Sequence, residues 1–434
     1  MSQPLKIAVA GLGTVGSGVL KLLAANGEAI AARCGRSIVV TAVSARDKTK
    51  DRGVDLKNIT WFDDPRELAA KADADVVVEL IGGAEGAARD AVTAAIARKK
   101  HVVTANKALL AYHGLELAKA AESAGVTLAL EASVAGGIPI IKALREGLAG
   151  NDIKRVTGIL NGTCNYILTT MRATGRDFAD VLREAQALGY AEADPSFDVD
   201  GIDAAHKLAI LASVTFGMPV DIKSVHAEGI RNVTSLDIQY ADEFGYRIKL
   251  IGLAERLEDG SVMQRVYPCL LTPDAPLATV DGVFNAVVAE GDFVGKSVYV
   301  GRGAGAGPTA SAVVSDIIDI ARGRQTPTFG IPATQLKARK AASVDSHTGE
   351  YYVRLLVADR PGVFADIAAA FRDESVSMES VLQRGRNVNV NVNVVIITHE
   401  TQESALVRAL KRFQANAALV EPPRMMRIEN LGGN

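Results

Sequence analysis

A short acidic segment, residues 189–207 (GYAEADPSFDVDGIDAAHK), contains the side chains best suited to chemistry. Asp203 and Lys207 lie four residues apart, so on a helix they share one face and can touch. A lysine held beside carboxylates can donate a proton within a site for a small zwitterion. For the segment alone, an acidic surface loop is the alternative. Its charged residues are Glu192, Asp194, Asp198, Asp200, Asp203 and Lys207.

A glycine motif near the start of the chain is suited to hold a dinucleotide. It directly follows the apolar run Leu5–Ala10 and opens a helical pattern that continues to about Ala25. Its glycines permit a tight turn, a close approach of the backbone to a pyrophosphate, and close helix–strand packing, while the helix start offers free N–H groups. A glycine turn used only for packing is the alternative. The predicted cofactor contacts here are Gly11, Gly13, Thr14, Val15 and Gly16.

The residues after the second apolar run indicate which dinucleotide is bound. An NAD site favours a carboxylate at the end of that strand, but the chain has Ser44, Ala45 and Arg46, and Asp47 comes later. Arg46 is therefore expected to hold a 2′-phosphate, which favours NADPH and leaves NADH possible. A solvated basic loop is the alternative.

The elements that position these motifs alternate between strand and helix over residues 1–150. Buried parallel strands joined by crossover helices have this pattern, so we predict a doubly wound, Rossmann-type α/β sheet that binds NAD(P). The predicted strands are Leu5–Ala10, Ile38–Val43, Asp75–Ile81, His101–Thr104 and Val126–Leu130. Lys107 follows the fourth strand, at the sheet edge where ligands of this fold bind, and is expected to contact the cofactor or the substrate.

The middle of the chain loses the regular crossover rhythm. Strand-like runs interleaved with long helices over residues 151–300 favour an α+β domain with a mixed or antiparallel sheet. The stretch Asn161–Tyr166 is expected to line a pocket. Cys164 has no neighbouring histidine in the sequence to activate it, so it is interpreted as a structural thiol.

A second glycine-rich loop, Gly301–Thr309, precedes a helix that continues to about Ala321. Residues 301–340 are predicted to return to the nucleotide-binding domain, and the helix start is expected to hold an anion. A flexible connection is the alternative for this loop.

The tail follows a loose linker from about Ala341 to Gly349 and has a βαββαβ pattern over residues 350–430. The run Asn387–Thr398 alternates strictly and places four valines on one face. A small α+β module on a linker is typical of a regulatory domain or a contact surface. The valines are Val388, Val390, Val392 and Val394.

Composition narrows the class of protein. The formal net charge of −2 gives no general attraction to nucleic acid or to anionic membranes. The three cysteines are scattered without a CxxC pair, which suits a reducing compartment. No signal-peptide pattern and no apolar run of membrane-spanning length is seen, so a cytoplasmic protein is expected.

The chain resembles homoserine dehydrogenases across essentially its whole length. The resemblance rests on GLGTVG from Gly11, TANKALL from Thr104, EASVAGGIP from Glu131, NGTCNYIL from Asn161 and the acidic segment of residues 189–207. The tail resembles an ACT domain, and DRPGV is typical of its first turn. The resemblance implies reversible reduction of L-aspartate 4-semialdehyde to L-homoserine with NAD(P)H, in threonine, methionine and isoleucine biosynthesis.

The resemblance also implies roles for individual residues. Lys207 is the proton donor and Lys107 the second lysine at the reacting oxygen. The substrate is expected to be held by Glu192, Asp203, Gly189 and Asp198, and Gly305 is expected to approach the cofactor. A structural monovalent cation such as sodium is expected near Glu131, Val134, Gly136 and Ile138.

Feedback by threonine through the tail is implied, as is a homodimer or homotetramer formed through the sheet of residues 151–300. The Asn-Val repeat departs from the usual ACT sequence, and an unpaired edge strand that contacts another chain is a second interpretation. Two other functions stay open. One is a semialdehyde oxidoreductase acting by acyl chemistry, which needs a cysteine with a histidine partner; the other is a non-catalytic amino-acid sensor.

Overall fold

A computed structural model of the protein describes residues 3–384 and 391–432. Within those residues, every helix is too short or too polar to cross a membrane. The division into domains at residues 150, 300 and 340 stays a prediction.

The first sheet has six parallel strands. They are β1 (Leu5–Ala10), β2 (Ile38–Ser44), β3 (Thr60–Phe62), β4 (Val76–Glu79), β5 (His101–Thr104) and β6 (Leu128–Ala129). The order is β3-β2-β1-β4-β5-β6, the doubly wound order of dinucleotide-binding domains. The helices between them are α1 (Thr14–Cys34), α2 (Pro65–Lys71), α3 (Ala87–Ala97) and α4 (Lys107–Ala124). The predicted fold class is confirmed.

Two strands of this sheet, β4 and β6, are shorter than the predicted Asp75–Ile81 and Val126–Leu130. β4 ends at Glu79, because its carboxylate accepts hydrogen bonds from the backbone N–H groups of Ile81 at 2.7 Å and Gly82 at 3.1 Å, which turns the chain out of the sheet. β3, with only three residues, was missed because its apolar pattern is too short to identify.

The second sheet begins in the middle of the chain and is mixed, as predicted. Its first strands are β7 (Ile153–Ile159), β8 (Val225–Ala227), β9 (Arg247–Arg256), β10 (Val262–Leu271), β11 (Phe284–Gly291) and β12 (Gly295–Arg302). The helices around them are α5 (Ile140–Lys142), α6 (Gly162–Thr174), α7 (Phe178–Ala187), α8 (Ser196–Val199), α9 (Ile202–Phe216), α10 (Ser235–Glu243) and α11 (Ala306–Ala321).

The tail continues this second sheet. Its elements are β13 (Thr348–Ala358), α12 (Val363–Asp373), β14 (Met378–Arg384), β15 (Asn391–Thr398), β16 (Thr401–Gln402), α13 (Glu403–Gln414) and β17 (Arg424–Glu429). Apart from the short β16, this is the predicted βαββαβ order. β17 pairs with β10 in parallel, with Cys269 opposite Arg427, so the order through the sheet is β12-β11-β7-β9-β10-β17-β13-β15-β14. No pattern in the sequence predicted that β10 and β17 pair.

The Asn-Val repeat forms an interior strand where the structure describes it. Val392 and Val394 of β15 are buried and Asn391 is exposed, which agrees with the predicted alternation. Val388 and Val390 lie outside the described residues. β15 pairs with β13 on one side and β14 on the other, so the prediction of an unpaired edge strand is wrong for residues 391–398.

Helix α11 returns the chain to the first sheet. Its buried residues Ala310, Val313 and Ile317 pack in one apolar cluster with residues of β1 and α1. The two helices approach closely at Gly18, where a Cβ atom would lie 2.7 Å from the carbonyl oxygen of Ala306. The glycine-rich loop before α11 is thereby held beside the carboxyl edge of the first sheet.

Candidate active site

The three glycines after β1 meet three separate steric requirements. Gly11 has φ of +107°, and a Cβ there would lie 2.5 Å from the carbonyl oxygen of Leu80. A Cβ on Gly16 would collide with the carbonyl oxygen of Gly11, whereas a Cβ on Gly13 would meet nothing within 4 Å. The open side of Gly13 leaves room for a pyrophosphate at the start of α1, as the motif predicts.

Two neighbouring cavities lie beyond this loop and share four of their lining residues. The first, about 260 Å³, extends from Val15 and Gly82 to Ala135, and the second, about 430 Å³, extends from Asn161 to Asp198. Shared by both are Lys107, Lys207, Gly303 and Ala304. The geometry suits a nicotinamide in the first cavity and a small substrate in the second, with two ammonium groups where they meet.

One carboxylate holds both lysines at this junction. Lys207 Nζ lies 2.7 Å from Asp203 Oδ2, and Lys107 Nζ lies 3.1 Å from Asp203 Oδ1. Asp203 and Lys207 are one turn apart on α9, whereas Lys107 is the first residue of α4, which the side chain of Asn106 caps. Lys207 also donates to the carbonyl oxygen of Leu160 at 2.7 Å, so its ammonium group is fixed on two sides.

Asp203 is ionised in this environment. Its burial opposes ionisation, but the charges of Lys207 and Lys107 and the hydrogen bonds from Lys207 and Asn161 outweigh burial and lower the pKa of the carboxyl. Nearby Asp198 has the opposite shift, because burial and the charge of Asp203 raise its pKa. The two carboxylates thus differ in their readiness to accept a proton.

Asn161 connects these two carboxylates, a role that sequence reasoning missed. Its Nδ2 donates to Asp198 Oδ1 and to Asp203 Oδ2, both at 2.8 Å, and its Oδ1 accepts from Cys164 N and so caps α6. The sequence signal was present in the N-cap position of Asn161 before a helical pattern, but its carboxylate partners lie elsewhere in the chain.

An aromatic wall borders the lysines and was also missed. Lys107 Nζ lies 5.6 Å from the centre of the Phe197 ring, within the range of a cation–π contact. Phe197 and Tyr112 both contact the ring of His206 edge-on, at 5.4 Å and 5.5 Å between centroids. Burial lowers the pKa of His206, which favours a neutral imidazole behind the site.

The structure brings most predicted substrate residues to the second cavity, but not all. Gly189, Asp198 and Asp203 line it, and so does Gly305, which was predicted to approach the cofactor. Glu192 is exposed and lies outside the lining, and its backbone carbonyl accepts a hydrogen bond from Gln186. The role of Glu192 therefore stays a prediction.

Cys164 has the environment of a structural thiol. It is fully buried, its Sγ donates to the carbonyl oxygen of Asp198 at 3.2 Å, and burial together with nearby Asp198 raises the pKa of the thiol well above its ordinary value. A thiol of this kind is a poor nucleophile. This argues against acyl chemistry at Cys164.

Basic side chains gather at the end of β2, where the ribose of a dinucleotide lies in this fold. Arg46 is exposed there, two residues after the end of the strand. Arg52, which sequence reasoning missed, donates through Nε to the carbonyl oxygen of Leu12 in the glycine loop at 3.1 Å and lies over the Trp61 ring at 5.6 Å. Arg52 is thus a basic residue of this group that also stabilises the glycine loop.

The loop after β6 contains one carboxylate among backbone carbonyls. Glu131 is buried, and its carboxylate accepts from Ile141 N at 3.0 Å and Lys142 N at 2.9 Å. Burial, followed by the charge of Asp316, raises the pKa of Glu131 to about 7.

The carbonyl oxygens beside Glu131 are partly free. Among the described residues, none donates a hydrogen bond to the carbonyl of Val134 or Gly136, both buried, whereas the carbonyl of Ile138 accepts from Ile140 N at 2.8 Å. Where the chain is described, no group of three His, Cys, Asp or Glu side chains could hold a metal ion. One carboxylate with backbone carbonyls suits a hard monovalent cation better than a transition metal.

Comparison with known proteins gives consistent results over the whole chain. A family model described as "Homoserine dehydrogenase" matches residues 139–318, "Homoserine dehydrogenase, NAD binding domain" matches residues 11–131, and "ACT domain" matches residues 351–417. Homoserine dehydrogenase of Neisseria gonorrhoeae is 46% identical over 435 residues, covering 99% of each chain. That of Pseudomonas aeruginosa is 44% identical, covering 99% of this chain and all of the relative.

Solved structures agree. A homoserine dehydrogenase from Thiobacillus denitrificans superposes with a TM-score of 0.93 at 44% identity, covering 99% of both chains. A hyperthermophilic archaeal homoserine dehydrogenase in complex with NADPH superposes with a TM-score of 0.64 at 28% identity, covering 75% of this chain and 99% of that one.

Proposed function

Because this chain belongs to the homoserine dehydrogenase family, and is thus an NAD(P)-dependent oxidoreductase, we propose that it reduces L-aspartate 4-semialdehyde reversibly to L-homoserine. The observation that carries the proposal is the Lys107–Asp203–Lys207 group where the two cavities meet. The reaction places the chain in threonine, methionine and isoleucine biosynthesis.

Lys207 and Lys107 supply the proton and the positive charge that the reaction requires. A bound reduced nicotinamide supplies the hydride to the aldehyde carbon, and the aldehyde oxygen then develops negative charge. Lys207 donates a proton to that oxygen, and Lys107 adds a second positive charge beside it. Asp203 and the carbonyl of Leu160 fix the Lys207 ammonium group, so little reorganisation is needed during the reaction.

The acidic residues of the second cavity are proposed to hold the substrate's ammonium group. Asp203 and Asp198 line that cavity and are joined by Asn161, and Gly189 offers its backbone. Glu192 belongs to the same acidic segment and is proposed as a further contact of the ammonium group, although its side chain lies outside the lining. The developing alkoxide then meets the ammonium groups of Lys107 and Lys207, and the substrate's ammonium group meets the carboxylates beside them.

We propose NADPH as the preferred cofactor, with NADH also accepted. The glycine loop, with Thr14 and Val15 at the start of α1, would bind the pyrophosphate. Arg46 would contact the 2′-phosphate, since β2 ends without a carboxylate and the neighbouring side chains are basic. Lys107 and Gly305 would approach the nicotinamide end.

A monovalent cation such as sodium is proposed at Glu131 and the carbonyls of Val134, Gly136 and Ile138. Val134 and Gly136 support it, because both residues are buried and their carbonyl oxygens accept no hydrogen bond within the part of the chain that is described. The cation would lie in the loop that precedes α5 and would act structurally, since the two lysines proposed to stabilise the alkoxide belong to α4 and α9.

The ACT domain is proposed to bind threonine as a feedback inhibitor. A cavity of about 440 Å³ lies at the DRPGV turn and includes Asp359, Gly362, Gln383, Val392 and Val394. Two of these valines belong to the Asn-Val run, so that run contributes to a cavity wall.

A second copy of the chain is proposed to cover β12, giving a homodimer or homotetramer. β12 is the end strand of the second sheet among the described residues. Val298, Val300 and the neighbouring Phe284 are between 41% and 56% exposed, and apolar side chains on a sheet edge favour association.

The proposed activity is tested by following NADPH absorbance with L-aspartate 4-semialdehyde, with and without threonine, and then with NADH. Oxidation that depends on the semialdehyde is expected, with NADPH used more efficiently and threonine reducing the rate. Absence of oxidation with either cofactor would refute the dehydrogenase proposal and favour an amino-acid sensor.

A further inference from the structure

A fourth cavity, of about 500 Å³, lies between the middle of the second sheet and the ACT domain. It is lined from β7, β9 and β10 on one side, and by residues 346–350, Glu400 and the end of β17 on the other. It shares no lining residue with the two cavities at the lysines or with the one at the DRPGV turn. The proposed dehydrogenase reaction makes no use of it.

One wall of this cavity includes a buried cation with unused hydrogen-bond donors. The Arg265 side chain is 2% exposed, and its Nε and Nη1 have no hydrogen-bond partner. Its Nη2 lies 3.5 Å from Glu429 Oε1, and the guanidinium also lies over the Tyr267 ring. On the opposite side, His347 Nε2 likewise has no hydrogen bond, and it lies 3.7 Å from Glu429 Oε1. Buried donors without partners are costly, so an acceptor is expected here.

The lining also has more carboxylates than cations. Among the described residues, the carboxylates of Glu255, Glu350 and Glu400 make no hydrogen bond or ion pair. The other cation, Arg155, is already paired with Glu290 through two nitrogens. A simple anion would meet Arg265 but also these carboxylates, so the charge pattern favours a ligand with both signs of charge.

The spacing between the carboxylate of Glu255 and the guanidinium of Arg265 fits a small molecule. Glu255 lies directly opposite Met263 in the β9–β10 ladder, and Arg265 is two residues further along β10 on the same face. Two residues of a strand span about 7 Å, the scale of an amino acid with its hydrogen bonds. Leu257, Met263 and Ile428 add an apolar surface to the same lining.

We propose that this cavity binds a free α-amino acid with an aliphatic side chain. Its carboxylate binds Arg265, its ammonium group lies among Glu255, Glu350 and Glu400, and its side chain contacts Leu257, Met263 and Ile428. Because the site includes the linker to the ACT domain and the end of β17, a bound ligand stabilises the contact between the two parts of the sheet.

The test is calorimetric titration of the full-length protein, saturated with NADPH, using L-leucine, L-isoleucine and L-valine as probes. Two analogues of leucine separate the charges: 3-methylbutylamine lacks the carboxylate and 4-methylpentanoate lacks the ammonium group. At least one amino acid is expected to bind, and both analogues of leucine at least tenfold more weakly than leucine.

Variants test whether the amino acid binds in the cavity beside Arg265. The double variant Glu255→Gln, Glu350→Gln is expected to weaken it at least tenfold, and Thr348→Trp, at an exposed position of the lining, is expected to block it. Glu28→Gln, an exposed carboxylate of α1 outside the lining, is the matched control and should leave the affinity unchanged. Gln383→Trp obstructs the cavity at the DRPGV turn and should also leave it unchanged.

Three outcomes would overturn the proposal. One is no binding by any of the three amino acids, which would leave ordered water as the partner of Arg265. Another is equal binding of the amine or the acid analogue. The third is binding lost in Gln383→Trp and kept in Thr348→Trp, which would assign it to the other cavity.

Discussion

Replacing Lys207 by alanine tests the centre of the proposed mechanism. The variant removes the ammonium group that lies 2.7 Å from both Asp203 Oδ2 and the carbonyl oxygen of Leu160. Loss of a general acid costs about 10²–10⁴ in rate. The developing alkoxide would also face Asp203 with only Lys107, at 3.1 Å, to offset that charge. A combined loss in kcat of at least ~10³ is expected, which is about 4 kcal/mol of transition-state stabilisation.

Cofactor binding should survive this change. The glycine loop and the basic residues after β2 lie apart from Lys207, so the Kd for NADPH should change by less than about threefold, which is under 1 kcal/mol. The assay measures kcat from NADPH absorbance and Kd from the fluorescence of bound NADPH. Lys119→Ala, an exposed lysine of α4, is the matched control and should keep both values.

Two further measurements make the interpretation specific. Lys207→Arg keeps the positive charge but is a poor acid, so its kcat should fall between those of the wild type and the alanine variant. Urea denaturation checks the fold, because removing one partner of a buried ion pair costs about 3–5 kcal/mol. A loss of NADPH affinity as large as the loss of rate, or an unchanged kcat in a folded variant, would refute the assigned role.

Three other perturbations address separate parts of the site. Asn161→Ala removes the α6 cap and the bridge between Asp198 and Asp203, so it should lower the free energy of unfolding by about 1–3 kcal/mol and reduce kcat; an unchanged urea midpoint would contradict the bridge. Arg46→Ala should raise KM for NADPH about tenfold and leave KM for NADH nearly unchanged, and equal changes in both would contradict a contact to the 2′-phosphate. The pKa of Glu131 is raised to about 7 from 4.5, so its contribution to stability is complete below about pH 4.5 and is lost as the pH rises towards 7, by up to about 1.4 kcal/mol per pH unit. Urea unfolding between pH 5 and 8 in sodium-free buffer should show this slope, Glu131→Gln should flatten it, and added sodium chloride should reduce it; the same slope in the variant would assign the effect to another group.

Features that depend on neighbours in the sequence could be predicted. The spacing of Gly11, Gly13 and Gly16 requires only the turn that they form, and Asp203 and Lys207 meet because four residues make about one helical turn. The alternation likewise predicted that Val392 and Val394 of β15 are buried, although burial is continuous from Val394 to Thr398. Repeating strands and helices, with a glycine loop after the first strand, were sufficient for the fold class.

Contacts between distant parts of the chain were decided only by tertiary structure. Lys107 reaches Asp203 because α4 and α9 pack together, and Asn161 reaches Asp198 and Asp203 because β7 ends beside α9. The pairing of β10 with β17, which joins the ACT domain to the second sheet, depends on strand register between two separate units. Periodicity in a sequence indicates which face of an element is buried, but the partner on that face is selected by shape and hydrogen bonding across the whole fold. The sequence therefore determined the chemical groups of this enzyme, and the packing of its sheets and helices determined which of them act together.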